Sequence, residues 1–135
     1  MKKVVVIDGQ GGRLGQLLVE AIGKEAPGCE LYAIGTNSTA TAAMMKAGAQ
    51  YGATGENPVI VAVRDADVVI GPIGIISADS LLGEITPAMA VAVGQSRAVK
   101  LLLPVNKCQN RVIGVRETSM ADLVKETVGQ LKALL

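Results

Sequence analysis

Histidine, phenylalanine and tryptophan are absent from the 135 residues, and only Tyr32 and Tyr51 carry aromatic rings. Lacking His, the chain has neither the commonest general base nor the commonest metal ligand, which excludes a Ser-His-Asp triad, a Cys-His pair and an HExxH zinc site. With few rings to stack on bases and a near balance of 13 basic against 12 acidic side chains, no nucleic-acid surface is expected. Two cysteines, Cys29 and Cys108, are too few for a disulfide scaffold or a four-cysteine zinc site. Long hydrophobic runs are missing as well. The apolar stretch after Met1-Lys2-Lys3 stops at Asp8, short of the ~7–15 residues of a signal-peptide core, and no stretch approaches the ~18 of a membrane span. A cytoplasmic protein is expected.

What is present is aliphatic. Half of the residues are hydrophobic and 19% are charged, with a mean hydropathy of +0.42, a composition that excludes disorder. The length suits one domain over 1–135, with a core of Val, Ile, Leu, Ala and Met.

The order of elements points to an α/β fold. Val4-Val5-Val6-Ile7 is a continuous apolar run, as in a strand covered on both faces. A helix is expected from about Arg13 to Glu25, with Leu14, Leu17, Leu18, Ala21 and Ile22 on one face, stopped by Pro27-Gly28. Leu31 to Ile34 reads as a second strand. Ser38 or Thr39 can cap a helix carrying Met44, Met45 and Ala47 that ends at Gly48. Ala49 to Ala53 suits a short third strand. Val59 to Val63 has strand composition, but Asn57-Pro58 looks like a cap followed by proline at the first helical position, so a short helix at 58–65 is favoured. Val68 to Ile70 is a strand, a short helix is expected near Ala78 to Leu82, and Thr86-Pro87 opens a helix to about Gly94. Val99 to Leu103 and Val112 to Val115 read as strands. Ser119 with Asp122 starts a final helix bearing Met120, Leu123, Val124, Val128 and Leu131. Alternating strands and helices mean a three-layer α/β/α, Rossmann-like domain with a mostly parallel sheet.

The strongest local signal is Gly9-Gln10-Gly11-Gly12-Arg13-Leu14-Gly15, between a buried strand and an amphipathic helix. Gly9 would allow the sharp turn, Gly11 or Gly12 the close approach of a phosphate, and Gly15 tight packing of helix on strand. The N–H groups at the helix start suit an anion. This loop resembles the GxxGRMG loop of dihydrodipicolinate reductases, which implies binding of a nicotinamide cofactor, NAD(P). Two features depart from a dinucleotide site. The second strand ends Gly35-Thr36-Asn37, without the acid that holds an NAD ribose, so Thr36 and Asn37 would contact ribose or phosphate as neutral donors, and no Arg nearby favours NADP. Asp8, next to the first Gly, would oppose a pyrophosphate unless it binds Mg2+ or caps the turn.

Further blocks are Gly52-Ala53-Thr54-Gly55-Glu56-Asn57, Gly71-Pro72-Ile73-Gly74-Ile75, Gly83-Glu84-Ile85-Thr86-Pro87 and Pro104-Val105-Asn106-Lys107-Cys108. Together with Ile7 to Gly12 and Gly35 to Asn37, they resemble, from end to end, a family of short bacterial proteins of unknown function. That likeness implies a cytoplasmic bacterial protein and assigns no activity.

Most of these blocks follow the carboxyl end of a strand, where open α/β sheets bind ligands. Asp8, Asn37, Glu56, Asn106 and Lys107 are thus expected along one edge, with Gly71, Pro72 and Asn106 beside the Gly-rich loop. Lys107, Cys108 and Glu84 are the catalytic candidates. Lys107 could serve as a counter-ion or lower the thiol pKa of Cys108, although a lone Cys is more often a small buried hydrophobe, and Glu84 is either a carboxylate base or a solvated or capping residue. Asp8 with Glu56 is a minor candidate for Mg2+. Three functions stay open: a nucleotide-binding domain, an enzyme acting on a small phosphorylated metabolite, and a non-catalytic regulatory subunit. The apolar composition adds the expectation of a homo-oligomer, such as a dimer, with 68–76 and 88–93 as candidate contacts.

Overall fold

The computed structural model describes residues 1–105 and 109–135. Five parallel strands, β1 (Lys3–Asp8), β2 (Glu30–Gly35), β3 (Tyr51–Thr54), β4 (Val68–Pro72) and β5 (Val99–Leu103), form one sheet in the order β3-β2-β1-β4-β5. The helices are α1 (Arg13–Glu25), α2 (Ser38–Lys46), α3 (Glu56–Val63), α4 (Pro87–Gln95) and α5 (Met120–Leu134), with a short 3-10 turn at Ile73–Ile76. This is the expected α/β/α Rossmann-like arrangement. No helix among the described residues is long and apolar enough to cross a membrane.

The strand side chains alternate between two cores. Val4, Val6, Leu31, Ala33, Val68 and Ile70 pack under α1, α2 and α5. Val5, Ile7, Ile34 and Val69 pack under α3 and α4. Val4 to Ile7 are wholly buried, each such side chain contributing about 1.5–3 kcal/mol, which is why β1 is central and reads as an unbroken apolar run.

Several expectations need correction. The second helix is capped by Asn37, whose side chain accepts from the Ala40 N–H at 2.8 Å, rather than by Ser38 or Thr39. The helix favoured over a strand at 58–65 spans Glu56–Val63 and starts after Gly55, so Asn57 is not its cap. Pro58 is its third residue, still in the first turn, where a missing N–H costs nothing. The third strand is Tyr51–Thr54, shifted toward its carboxyl end.

No helix forms near Ala78 to Leu82. Asp79, Leu81 and Leu82 adopt left-handed φ of 66°, 55° and 56°. The loop closes on itself instead, with Asp79 N–H donating to the Ile85 carbonyl at 2.7 Å and the Ser80 hydroxyl donating to the Gly74 carbonyl. Nor is 112–115 a strand. Gly114 lies at φ 87° and turns the chain, and Ile113 is exposed. Of the two candidate contact stretches, 68–76 comprises the buried strand β4 and the 3-10 turn Ile73–Ile76, in which Ile76 is exposed, whereas 88–93 lies in α4 with Ala88 and Val91 on its surface.

Candidate functional site

Strand β1 delivers the chain to the carboxyl edge at Asp8, beside β4, where the strand order reverses from β1-β2-β3 to β4-β5. Such a switch point opens a crevice between loops leaving in opposite directions. The Gly9–Gly12 turn sits there. It is closed by the Gly12 N–H donating to the Gly9 carbonyl at 2.9 Å.

Asp8 is buried, and both of its carboxylate oxygens are engaged. Oδ1 accepts from the Gly9 N–H at 2.8 Å and Oδ2 from the Gly15 N–H at 2.6 Å. Asp8 thus braces the turn and binds a free N–H in the first turn of α1, so part of that helix's capacity for an anion is already used. Burial pushes its carboxyl pKa up; the bonds from Gly15 and Gly9 oppose the rise, and the nearby charge of Glu84 adds to it.

The glycines have separate jobs. A Cβ on Gly12, which caps α1 at φ 75°, would fall 2.7 Å from Cα of Ala40, and one on Gly15 would fall 2.5 Å from Sδ of Met44. These two residues let α2 pack on the turn and on α1. A Cβ on Gly9 would fall 2.9 Å from Glu84 Oε1. Gly11 has nothing within 4 Å of its Cβ position, and it is therefore the open face of the turn. Leu14 belongs to the core. Arg13 lines a groove between α1 and α5 with Leu17, Glu20 and Met120.

Glu84 completes the site. The loop after β4 brings its carboxylate over the turn, where Oε1 accepts three hydrogen bonds: from the Thr36 hydroxyl at 2.6 Å, the Asn37 amide at 2.7 Å and the Gln10 N–H at 2.9 Å. Asn37 also donates to the Gln10 carbonyl at 2.9 Å, and Gln10 holds a left-handed φ of 49°. Partial burial alone would raise the Glu84 pKa. The bonds from Thr36, Gln10 and Asn37 outweigh that effect and hold it below the ordinary value. Among the described residues, Oε2 has no hydrogen-bond partner.

Thr36, Asn37, Gln10 and Gly9 are therefore together, and Glu84, considered from sequence as a base or a capping residue, is among them. Only contact reveals this, since Gln10 and Glu84 are 74 positions apart. Gly71 and Pro72 end β4 at the same edge, and a Cβ on Gly71 would fall 2.5 Å from the Ile7 carbonyl oxygen. Glu56 begins α3 and accepts from the Thr86 hydroxyl at 2.5 Å, so it and Asp8 have different partners. No group of three or more metal-ligating side chains gathers among the described residues. Asn106, Lys107 and Cys108 lie outside the described residues. Cys29 is buried, and burial pushes its thiol pKa up.

Residues 3–135 match the family model described as a domain of unknown function, DUF3842, and the chain belongs to that family. No curated protein matches the chain. Among solved structures, it is similar to a dodecameric FMN-dependent UbiX-like decarboxylase from Escherichia coli O157:H7, with 20% identity and a TM-score of 0.48, over 99% of this chain and 76% of that one.

Proposed function

We propose that this domain binds a nucleotide, with NAD(P) the first candidate, at the crevice above Gly9–Gly12, and that an oxygen of the ligand takes the place held by Glu84 Oε1. The observation that carries this reading is the convergence of three donors from two loops on one anionic oxygen. An N–H, a hydroxyl and an amide aimed at a single point form a receptor for an oxyanion, and a carboxylate fills it. Gln10, Thr36 and Asn37 would hold the ligand, Gly11 would let its phosphate approach the backbone, and Gly71 and Pro72 would border it across the switch point. Glu84 has to swing outward first, because two anions do not share one set of donors. The same donors would hold the phosphate of a small metabolite.

The test is a thermal-shift panel of NAD, NADH, NADP, NADPH, ATP, FMN, sugar phosphates and pyrophosphate against wild type and Glu84→Ala. A ligand at a hundredfold its Kd adds about 2.7 kcal/mol of stability, several degrees in a domain of this size. At least one phosphate-bearing ligand is expected to raise the melting temperature, and to raise it more in Glu84→Ala, where the competing carboxylate is gone. A flat panel in both proteins overturns the reading.

A further inference from the structure

Helices α3 and α4 differ from α1 and α5. No charged residue occurs between Asn57 and Val63, or between Pro87 and Ser96. The outer faces of α1 and α5 carry Glu20, Lys24 and Glu25, and Asp122, Lys125, Glu126 and Lys132, all exposed. A helix that is apolar all round is normally covered all round. The sheet covers one side only, taking Val59, Ala62 and Val63 from α3 and Met89, Ala90 and Val93 from α4. Ala88 and Val91 are left outside on α4 and Val61 on α3, with Val91 at 53% and Val61 at 45% exposure.

The two helices form one preformed surface. Their amino ends are tied by the Thr86 hydroxyl donating to Glu56 at 2.5 Å, and their carboxyl ends by the Ser96 hydroxyl donating to the Val63 carbonyl at 2.7 Å. They therefore run side by side in the same direction, and little conformational entropy remains to be lost when the surface is covered.

Charge is segregated to the two ends of this surface. At the amino end stand Glu56 and the exposed Asp79 of the neighbouring loop. At the carboxyl end stand Arg64 and Arg97, both exposed, and among the described residues neither pairs with a carboxylate. The acids near that end are already engaged: Asp65 pairs with the Lys3 ammonium, and Asp67 accepts from the Lys3 N–H at 2.8 Å. Lys100 adds a further cation there, donating to the Gly94 and Ser96 carbonyls at 3.3 and 2.5 Å.

We infer that the outer face of α3 and α4 is the contact by which two copies of this chain pair about a two-fold axis. A two-fold contact sets a patch against itself, so its centre must tolerate self-juxtaposition. An uncharged centre at Ala88, Val91 and Val61 does so. With the axis perpendicular to the helices, the copies run antiparallel, and the acidic end of each meets the basic end of the other. A partner with a charged contact face would find nothing to pair with at the centre. Two helices of this length present a slab of roughly 13 by 20 Å, less than the ~800 Å2 per partner of a standard interface, so pairing is reversible and depends on concentration.

Sedimentation velocity on the full chain, from low micromolar to sub-millimolar concentration, tests the inference. Wild type is expected to move from monomer to dimer. Val91→Glu and, separately, Val61→Glu should raise the dimer dissociation constant by about tenfold or more, since each buries a charge against its own copy. Both positions are exposed, so circular dichroism should be unchanged. Lys125→Glu, on the other layer, should pair like wild type, and Arg64→Glu should weaken pairing most at low salt. A wild type that stays monomeric throughout, or a dimer that survives both valine substitutions, overturns the inference.

Discussion

The Glu84 carboxylate accepts from the Thr36 hydroxyl at 2.6 Å across 48 positions of sequence, and this bond ties the loop after β4 to the end of β2. It sets a carboxylate where the second strand itself supplies none. It also makes the crevice sensitive to anything that titrates, replaces or displaces one side chain.

Acid should expose that sensitivity. The Glu84 pKa is lowered in the folded protein, so its contribution to stability is present above its ordinary value of 4.5 and is lost as pH falls through the depressed folded value. Urea midpoints measured from neutral pH downward should drop less steeply in Glu84→Gln than in wild type once pH falls below 4.5. Equal slopes would mean that the three hydrogen bonds do not favour the ionised form.

Asp8 behaves in the opposite sense. Its pKa is raised from 3.8, so the stability linked to it is fully present below that value and declines as pH rises through the folded pKa. The N–H groups it serves are a separate matter. Asp8→Ala leaves the N–H groups of Gly9 and Gly15 without their acceptor in a buried turn, and at about 1–3 kcal/mol per unpaired group the loss should be about 2 kcal/mol or more. Denaturant unfolding at pH 7 measures it, and a loss below about 0.5 kcal/mol would show that water replaces the carboxylate.

The adjacent glycines Gly11 and Gly12 should respond differently. Gly12→Ala places a methyl 2.7 Å from Ala40 Cα at φ 75°, and is expected to cost about 2 kcal/mol or more. Gly11→Ala meets open space and should stay within about 0.5 kcal/mol of wild type. Melting curves for the pair separate the structural glycine from the one left free for a ligand.

Leu82 is 96% exposed at a left-handed φ of 56°, a conformation that disfavours a bulky side chain by about 1–2 kcal/mol. Leu82→Asn keeps the turn with a residue that adopts it readily. It is expected to leave the melting temperature unchanged or to raise it by the equivalent of up to about 1 kcal/mol. A clear fall would assign Leu82 a contact made only in an assembly.

Wherever the signal is local, the elements were legible in the sequence. The unbroken Val4–Ile7 run marks a central strand because both of its faces are covered, and the spacing of Leu14, Leu18 and Ile22 marks α1 because a helix needs one apolar side. Thr86-Pro87 and Ser119 mark their helices because a cap acts within a single turn. The Gly-rich turn could be placed but its glycines could not be told apart, since Gly11 and Gly12 differ only in what α2 places beside them. The strand-like composition of 112–115 misled because Gly114 turns that segment, and 78–82 misled because its hydrogen bonds run to Gly74 and Ile85 rather than along a helix. Above all, Glu84 at the glycine turn was a decision of the tertiary structure. Residues far apart in sequence share an oxygen only after parallel pairing has brought the ends of β1, β2 and β4 to one edge, and no local pattern encodes that meeting.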